Sequence, residues 1–316
     1  MDLTEDQLIA AIRRVFSISA PEVVVGSGDD AAVVTTGSGE LVLTTDALVE
    51  GVHFRRDVTT PRDLGYKAVA VNVSDIAAMA GSPRHALCAL TLSDAVDAAW
   101  VVELAGGMKE CCDEFALSMV GGNVARGPEV TVAVTVTGEV RPGRAVRRDG
   151  ARPGDHLVIT GSLGGSAAGF RLSSQRSWSE QERDALHRHM RPTPRVGEAS
   201  VLAAHGATAM IDVSDGLGLD LSRLCAASGT GARIELPRIP LHPAATREEA
   251  LTGGEDYELL ATLPSAGAVD EARAELREAF GVSLTEIGGI IERGLVAVGD
   301  DGSERPLDID GWDHFR

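Results

Sequence analysis

Apolar and polar positions recur with helical spacing in some segments of the chain and alternate strictly in others. The sequence TEDQ at residues 4–7 resembles a capping box, which predicts a helix ending near Phe16. A helix is predicted over residues 62–80, because Thr60 and Pro61 precede it as N-cap and first helical residue. Nearly all of its residues from 68 to 80 are apolar, which predicts burial on almost every side. Helical spacing predicts further helices over residues 95–115, 179–190, 195–204, 216–227 and 269–280.

Extended patterns separate these helices. The sequence VTVAVTVTGEV at residues 130–140 alternates Val with Thr, which predicts a long strand with one buried face. The Gly- and Ser-rich sequence GSLGGSAAG at residues 161–169 predicts a turn. Shorter strands are predicted over residues 23–25, 31–35, 41–45, 85–92, 156–160, 209–212, 231–235 and 258–263. Because helices and strands mix in both halves, the expected fold class is α+β, built from two α/β lobes.

A single segment near the middle of the chain has the composition of a domain boundary. Residues 141–155, RPGRAVRRDGARPGD, are rich in Arg, Gly and Pro. A length of 316 residues also suits two domains better than one. We therefore predict an N-terminal domain over residues 1–146 and a C-terminal domain over residues 147–316.

The overall charge limits the possible partners and location. The chain has 47 acidic residues against 29 Lys and Arg, a net charge of −18, which argues against a nucleic acid partner. No apolar run reaches the length of a membrane helix, and the acidic start is unlike a signal peptide. The four cysteines form no CxxC pair, as expected of thiols in a reducing compartment: Cys88, Cys111, Cys112 and Cys225. A cytoplasmic protein that binds no membrane is expected.

Several acidic residues lie among small or apolar neighbours, unlike ordinary surface acids. We expect each to be at least partly buried: Asp29, Asp30, Asp46, Asp75, Asp212, Asp215, Glu255 and Asp256. A buried carboxylate needs a compensating cation, and the sequence offers few Lys or Arg in buried positions. Divalent ions bound through oxygen ligands, such as Mg²⁺, would satisfy several of these acids at once.

The helix predicted over residues 62–80 shows this pattern best. Asn72 and Asp75 are three residues apart and share one face of a helix that is otherwise apolar. Thr44 and Thr45, at the end of a strand, could add hydroxyl or carbonyl oxygens beside Asp46. In the adjacent pair Asp29-Asp30, we favour Asp30 as the metal ligand, with Asp29 capping or orienting the loop.

Other candidate positions have two interpretations each. Gly121-Gly122-Asn123 lets a ligand approach the backbone closely, or forms a plain turn at the end of a strand. His53 points towards the same site as Asp46, or has a structural role. Arg147 and Arg148 lie on the interdomain surface, or one of them binds a phosphate. The sequence has no GxxxxGK[ST], GxSxG or HExxH motif, so a P-loop, a serine-hydrolase elbow and this zinc motif are excluded.

Nine segments together resemble the thiamine-monophosphate kinase family, in the family's order and over nearly the whole chain. They are GDDAAV at residues 28–33, TTDALVEGVHF at 44–54, KAVAVNVSDIAAMAGSP at 67–83, GGN at 121–123, RRDGARPGD at 147–155, GSLGGSAAG at 161–169, DVSDGL at 212–217, GGEDYEL at 253–259 and GWDHF at 311–315. The resemblance implies a PurM-like fold, shared with aminoimidazole ribonucleotide synthetase. It also implies a homodimer formed through the N-terminal sheet, with ATP in the cleft between the two domains.

The resemblance assigns roles to individual residues. Matching the family's Mg²⁺ ligands are Asp30, Thr44, Thr45, Asp46, Asp75, Asp212 and Asp215, of which Asp46, Asp75 and Asp212 are expected to carry the catalysis. Matching ATP contacts are Gly121, Gly122, Arg147 and Ser214. Matching the thiamine-phosphate side are His53, Glu255 and Trp312. Asn123 stands where many members have a metal-binding Asp, and its amide oxygen can still bind Mg²⁺ with one charge less.

The implied reaction is direct transfer of the γ-phosphoryl group of ATP to thiamine monophosphate, with several Mg²⁺ ions between the two anionic ligands. Such a transfer needs positioning and charge neutralisation but no strong base, because the accepting phosphate oxygen is already ionised. Trp312 could lay its ring against the thiamine cation. Two alternatives stay open: a regulator that binds Mg²⁺ and nucleotide without catalysis, and another ATP-dependent enzyme of the same superfamily.

Overall fold

A computed structural model describes residues 23–25, 29–36, 39–175, 177–307, 309 and 311 of the chain. The helix predicted to end near Phe16 lies outside these residues. Two mixed sheets, each with helices packed against it, form the described part of the chain. This arrangement confirms the predicted α+β class with two α/β lobes. None of the described helices combines the length and apolar character needed to cross a membrane.

The first sheet has six strands in the order β1-β2-β3-β6-β4-β5. Its neighbours are antiparallel except for the parallel pair β4 and β5. The strands are β1 Val23–Val25, β2 Ala32–Thr35, β3 Glu40–Val49, β4 Ser82–Leu92, β5 Ser118–Arg126 and β6 Thr131–Val140. Along β6 the Val side chains are fully buried and the Thr side chains lie on the half-buried opposite face, as the alternation predicts.

Two helices cover the buried face of this sheet: α1 Pro61–Ala78 and α2 Ala98–Glu114. Thr60 caps α1 by accepting a hydrogen bond from the Asp63 N–H, and Pro61 occupies the first turn. Helix α1 is buried on nearly every side because it packs on α2 and the first sheet, and also on elements of the C-terminal half. It therefore joins the two lobes, and Asp75 lies within this junction.

The second sheet has seven strands in the order β13-β12-β9-β11-β7-β10-β8. Only β12 and β9 run parallel among its paired strands. The strands are β7 His156–Thr160, β8 Ala209–Asp212, β9 Gly231–Glu235, β10 Leu259–Leu263, β11 Leu284–Ile291, β12 Leu295–Val298 and β13 Glu304–Pro306. The helices of this half are α3 Gly165–Leu172, α4 Glu180–Met190, α5 Val196–Ala204, α6 Leu217–Ser228, α7 Arg247–Thr252 and α8 Ala266–Phe280.

Two local predictions were wrong. The segment predicted as a turn over residues 161–169 contains the start of helix α3, because the backbone N–H groups of Gly164 and Ser166 donate to the Asp256 carboxylate and cap that helix. The GGN sequence is neither a turn nor a strand end, since it lies inside β5. A Cβ at Gly122 would come within 2.0 Å of the Cys88 carbonyl oxygen, so glycine there allows β4 and β5 to pair closely.

Candidate active site

Helix α1 and strand β3 place the first group of site residues. Asp75, one turn before the end of α1, accepts a hydrogen bond from the Thr44 hydroxyl at 2.6 Å. The buried Asn72 side chain accepts the Asp46 backbone N–H at 2.9 Å, which fixes the end of β3 against the helix. Thr44 and Asp46 share the face of β3 towards α1, because side chains alternate along a strand. Asp46 is exposed, so its expected burial was wrong.

Two carboxylates from distant parts of the chain, Asp30 and Asp212, lie close to Asp75. Oxygen atoms of Asp30, Asp75 and Asp212 all lie within 4.8 Å of one another. Asp212 ends strand β8 in the C-terminal domain, and its Oδ2 accepts the Ser74 hydroxyl of helix α1 at 2.5 Å. The cluster therefore contains side chains of both domains and lies where the domains pack on each other.

Burial and mutual repulsion make this cluster unfavourable without a cation. Burial, together with the charges of Asp46, Asp212 and Asp30, raises the pKa of Asp75 well above its ordinary value. Burial and the Asp30 charge likewise raise the pKa of Asp212. Three carboxylates with hydroxyl neighbours form an all-oxygen donor set of the kind that Mg²⁺ and Ca²⁺ prefer. The residues at the cluster thus fit a divalent ion that would offset their repulsion.

An arginine also reaches this cluster. The Arg148 guanidinium binds both oxygens of Asp30 at 2.7 Å each, in a bidentate pair. Of the two adjacent arginines, Arg148 faces the acids, whereas the Arg147 side chain pairs with Asp149. Asp29 accepts the backbone N–H groups of Asp30 at 2.9 Å and Arg148 at 3.1 Å, an arrangement that orients the loop. Burial and the Asp30 charge raise the pKa of Asp29 to about 6.

A second arginine holds the DVSDGL segment. Arg223 on helix α6 donates to the carboxylates of both Asp215 and Asp220. The buried Asp220 accepts the backbone N–H groups of Ser214 at 3.1 Å and Asp215 at 3.0 Å. Burial and the Asp215 charge raise the pKa of Asp220 to about 7. Asp220 thus shapes the loop that presents Ser214 and Asp215, an effect that the sequence signals only as an acid in the first turn of a helix.

A cavity of about 440 Å³ extends from the carboxylates across the domain junction. Its volume is in the range of small-molecule sites. The predicted site residues that line it are Asp46, His53, Asp75, Asp212, Ser214, Asp215 and Glu255. Its apolar wall includes Val52, Val71 and Phe170, and Phe170 exposes 58% of its surface. A cavity lined both by several aspartates and by apolar and aromatic side chains suits a ligand that carries an anionic group and a ring.

The candidate thiamine-side residues His53 and Glu255 line the same cavity. The His53 Nδ1 accepts the Val49 backbone N–H at 3.0 Å, so the neutral ring carries its proton on Nε2. The Glu255 carboxylate contacts the Lys67 ammonium at 2.7 Å and His189 Nδ1 at 3.3 Å. Lys67 and His189 were not predicted as site residues, although a lysine inside an apolar helix is itself a signal. Trp312 lies outside the described residues.

Other predicted residues lie on the outer face of the first sheet. The Thr45 hydroxyl bonds the Val134 carbonyl at 3.1 Å and accepts from Thr135 at 2.9 Å, facing away from Thr44. In register across the sheet, Gly121 and Asn123 fall on the same outer face as Thr45. All of strand β5 is exposed. The structure therefore brings the Thr44, Asp46, Asp75 and Asp212 side chains together, and leaves Thr45, Gly121 and Asn123 apart from them.

Two family models match this chain, one in each half. Residues 28–140 match the family described as AIR synthase related protein, N-terminal domain, and residues 152–301 match AIR synthase related protein, C-terminal domain. Fold and site thus define a two-domain protein of the AIR synthase-related class. The predicted limits 1–146 and 147–316 stay a prediction.

Closer relatives narrow this class. Thiamine-monophosphate kinase of Escherichia coli (strain K12) is 39% identical over 310 residues, which cover 93% of each chain. The Bacillus subtilis (strain 168) thiamine-monophosphate kinase is 34% identical, over 92% of this chain and 94% of that protein. The structure of AaThiL complexed with AMPPCP and TMP matches with a TM-score of 0.86 at 34% identity, covering 100% of this chain and 99% of that chain. The chain belongs to the thiamine-monophosphate kinase family, which confirms the resemblance seen in its motifs.

Proposed function

We propose that the protein transfers the γ-phosphoryl group of ATP directly to the phosphate of thiamine monophosphate, giving thiamine diphosphate and ADP. The observation that carries this proposal is the convergence of Asp30, Asp75 and Asp212 from two domains, with Asp75 and Asp212 lining a ligand-sized cavity. Family membership supports the substrates, since the related AaThiL structure holds AMPPCP and TMP.

Magnesium is part of the proposal. Asp30, Asp75 and Asp212 would hold it, with Asp46 and Asp215 at the cavity wall and Thr44 beside Asp75. Bound there, the ions would neutralise the charge of the two phosphate-bearing ligands. Asn72, Ser74 and Asp220 fix the backbone and side chains of these acids. Arg148 is placed to contact phosphate by exchanging part of its pairing with Asp30, in preference to Arg147.

The ligand orientation is proposed from the chemistry of the residues that line the cavity. Phosphate groups would lie near the aspartates, and the thiamine rings would lie along the wall that contains Phe170, His53 and Glu255. No side chain of this site needs to act as a strong base, because the accepting phosphate is ionised near neutral pH. The described residues therefore contribute mainly positioning and charge balance.

A coupled assay tests the proposal. Purified protein is mixed with Mg²⁺, ATP and thiamine monophosphate, and both ADP and thiamine diphosphate are quantified; equal amounts of the two products are expected. Thiamine, AMP and omission of Mg²⁺ serve as controls. Tight binding of Mg-ATP without product would favour the regulator, and turnover with a different acceptor would favour another enzyme of the superfamily.

The homodimer and the cytoplasmic location are proposed together with this function. The outer face and edge of the first sheet expose apolar side chains: Leu87 at 48%, Val120 at 59% and Val124 at 66%. An uncovered apolar edge strand favours association, and a second copy of this sheet is the partner proposed here. Sedimentation should show a dimer, and Val124→Lys should shift the protein towards monomer. The cytoplasmic location stays a prediction from the sequence.

Mg²⁺ affinity should rise with pH. Burial and mutual repulsion raise the pKa values of Asp75 and Asp212, so Mg²⁺ must displace any proton that either carboxyl keeps in the metal-free protein. Up to about a tenfold gain in affinity per pH unit is expected for each proton released, levelling once both carboxyls are ionised. Titration calorimetry in two buffers of different ionisation enthalpy measures the protons released. An affinity that is the same at every pH at which the metal-free protein stays folded, with no proton release, would contradict this account.

Phe170 should contribute to acceptor binding rather than to ATP binding. Its ring centroid lies 5.5 Å from that of His189, and the ring is exposed to the cavity. A cation stacked on this ring gains about 1 kcal/mol, so Phe170→Ala should raise the KM for thiamine monophosphate about fivefold to tenfold. Phe170→Leu keeps the apolar area without the aromatic face and should show most of the same loss. A KM for ATP that rises equally in both variants would refute the assignment.

A further inference from the structure

Lys67 is a buried cation on helix α1, which is itself buried on nearly every side. It is 2% exposed and is the largest of the fully buried side chains among the described residues. An ammonium in such a position is strongly disfavoured unless a carboxylate meets it. The Glu255 Oε1 lies 2.7 Å from its Nζ. Helix α1 thus brings a charge from the N-terminal domain to Glu255, which lines the cavity.

Glu255 has a backbone conformation that few non-glycine residues adopt. Its φ is +66°, and Tyr257 nearby has a φ of +51°. Such strain persists only where the surroundings enforce it. Here the Glu255 N–H donates to the Ser214 carbonyl at 2.7 Å, and a Cβ at Gly254 would lie 2.4 Å from that same oxygen. The GGED loop is therefore held against the DVSDGL loop, and this holds the Glu255 side chain in the cavity wall.

A histidine meets the other oxygen of the same carboxylate. His189, 6% exposed, places its Nδ1 3.3 Å from Glu255 Oε2 and 3.0 Å from the Ser166 Oγ. Burial raises the pKa of Glu255, but Lys67 and His189 outweigh it and lower that pKa to about 2. Burial and the Lys67 charge lower the pKa of His189. The group is thus an ionised carboxylate held by one fixed cation and one neutral ring.

We propose that Lys67 and His189 are positioning residues that hold the Glu255 carboxylate as a hydrogen-bond acceptor for the ring portion of the acceptor substrate. A carboxylate has about four acceptor positions, and the two contacts use two of them. Glu255 and His189 line the cavity, so the remaining positions are available to an N–H group or a cationic ring. The inference rests on the proposed function and extends it. Lys67, a residue of the N-terminal domain, would position the carboxylate that binds the thiamine portion of the substrate.

A double-mutant cycle tests whether Lys67 acts through Glu255. The variants are Lys67→Met, Glu255→Gln and the double variant, with Lys109→Met as a matched control because Lys109 is an exposed lysine paired with Asp113. Lys67→Met should raise the KM for thiamine monophosphate about tenfold, with the KM for ATP within twofold and kcat within threefold. Lys109→Met should leave all three values unchanged. In the Glu255→Gln background, Lys67→Met should add little further loss, because the carboxylate it positions is already absent.

Lys67→Met alone leaves the Glu255 carboxylate without its cation and can fail to fold. The double variant replaces both charged groups, so it leaves no unpaired buried charge and keeps the test possible. His189→Phe, which keeps the ring volume, gives a second route to the same KM change, and thermal unfolding monitors each variant. Additive effects in the cycle, or equal rises in both KM values, would overturn the positioning role while the wild-type enzyme stays active. A wild-type protein that does not phosphorylate thiamine monophosphate would instead overturn the proposed function, and the inference with it.

Discussion

Replacing Asp75 by Asn should lower kcat by about a hundredfold or more while the protein stays folded. The substitution removes one of the three carboxylates that lie within 4.8 Å of one another, so the charge holding a divalent ion falls. Loss of several kcal/mol of transition-state stabilisation corresponds to this range. Steady-state assays at saturating and at limiting Mg²⁺ separate weaker metal binding from slower transfer.

Stability should change in the opposite direction from activity. Asp75 is half-buried beside like charges that raise its pKa, so a neutral amide of the same shape relieves repulsion in the metal-free protein. We expect the Tm of metal-free Asp75→Asn to equal or exceed that of the wild type, and its rise on adding Mg²⁺ to disappear. Asp113→Asn, at an exposed pair with Lys109, is the matched control. Near-normal turnover in both Asp75→Asn and Asp46→Asn would show that these two acids are not part of the catalytic site.

The acid pattern could be predicted because it depends on local context. An aspartate such as Asp75, in a stretch of helix whose neighbours are nearly all Ala, Val or Ile, is expected to be at least partly buried, and Asp75 is half-buried. The same reasoning identified Asp30 and Asp212, which are buried as expected. The motifs shared with the thiamine-monophosphate kinase family then predicted the family and the fold, and the comparisons with known proteins confirm both.

The partners of these acids could not be predicted because they are far apart in sequence. The sequence predicted too few buried Lys or Arg to pair all of the acids, but it did not indicate which of them would have such a partner, and three do. Arg148 pairs with Asp30, Arg223 with Asp215 and Lys67 with Glu255. The two members of the Arg148 and Lys67 pairs are separated by more than a hundred positions, and only the packing of α1 between the domains brings Lys67 to Glu255. Local composition contains no information on such distances.

Register decided which strand residues face the site. Thr44 and Thr45 are equivalent by sequence, but alternation along β3 directs one hydroxyl to Asp75 and the other to Thr135. The choice between them depends on which face α1 covers, which is a tertiary property. The same argument separates Gly122 from its neighbours in β5, where the close approach of β4 requires glycine.

The closest contact between helices α1 and α2 should make Gly107→Ala strongly destabilising. A Cβ at Gly107 would lie 1.7 Å from the Arg62 carbonyl oxygen and 2.9 Å from the Tyr66 nitrogen, and a Cβ at Gly65 would lie 1.9 Å from the Leu104 carbonyl oxygen. Backbone atoms cannot yield as side chains do, so the helices must separate. We expect a loss of about 3 kcal/mol, measured as a lower urea midpoint for unfolding, because forced overpacking costs roughly 1–3 kcal/mol or more.

Gly106→Ala is the matched control, since it is the adjacent residue of the same helix. A Cβ there would meet only the Arg62 side chain, at 3.2 Å from Nη1, and that flexible end can move aside. Alanine is the better helix former by about 1 kcal/mol, so Gly106→Ala should unfold at an equal or higher urea concentration than the wild type. The two variants thus differ only in what the new methyl group meets. Equal midpoints for Gly106→Ala and Gly107→Ala would show that α1 and α2 do not pack through their backbones, and would remove the constraint that fixes α1, and Asp75 with it, against the sheet.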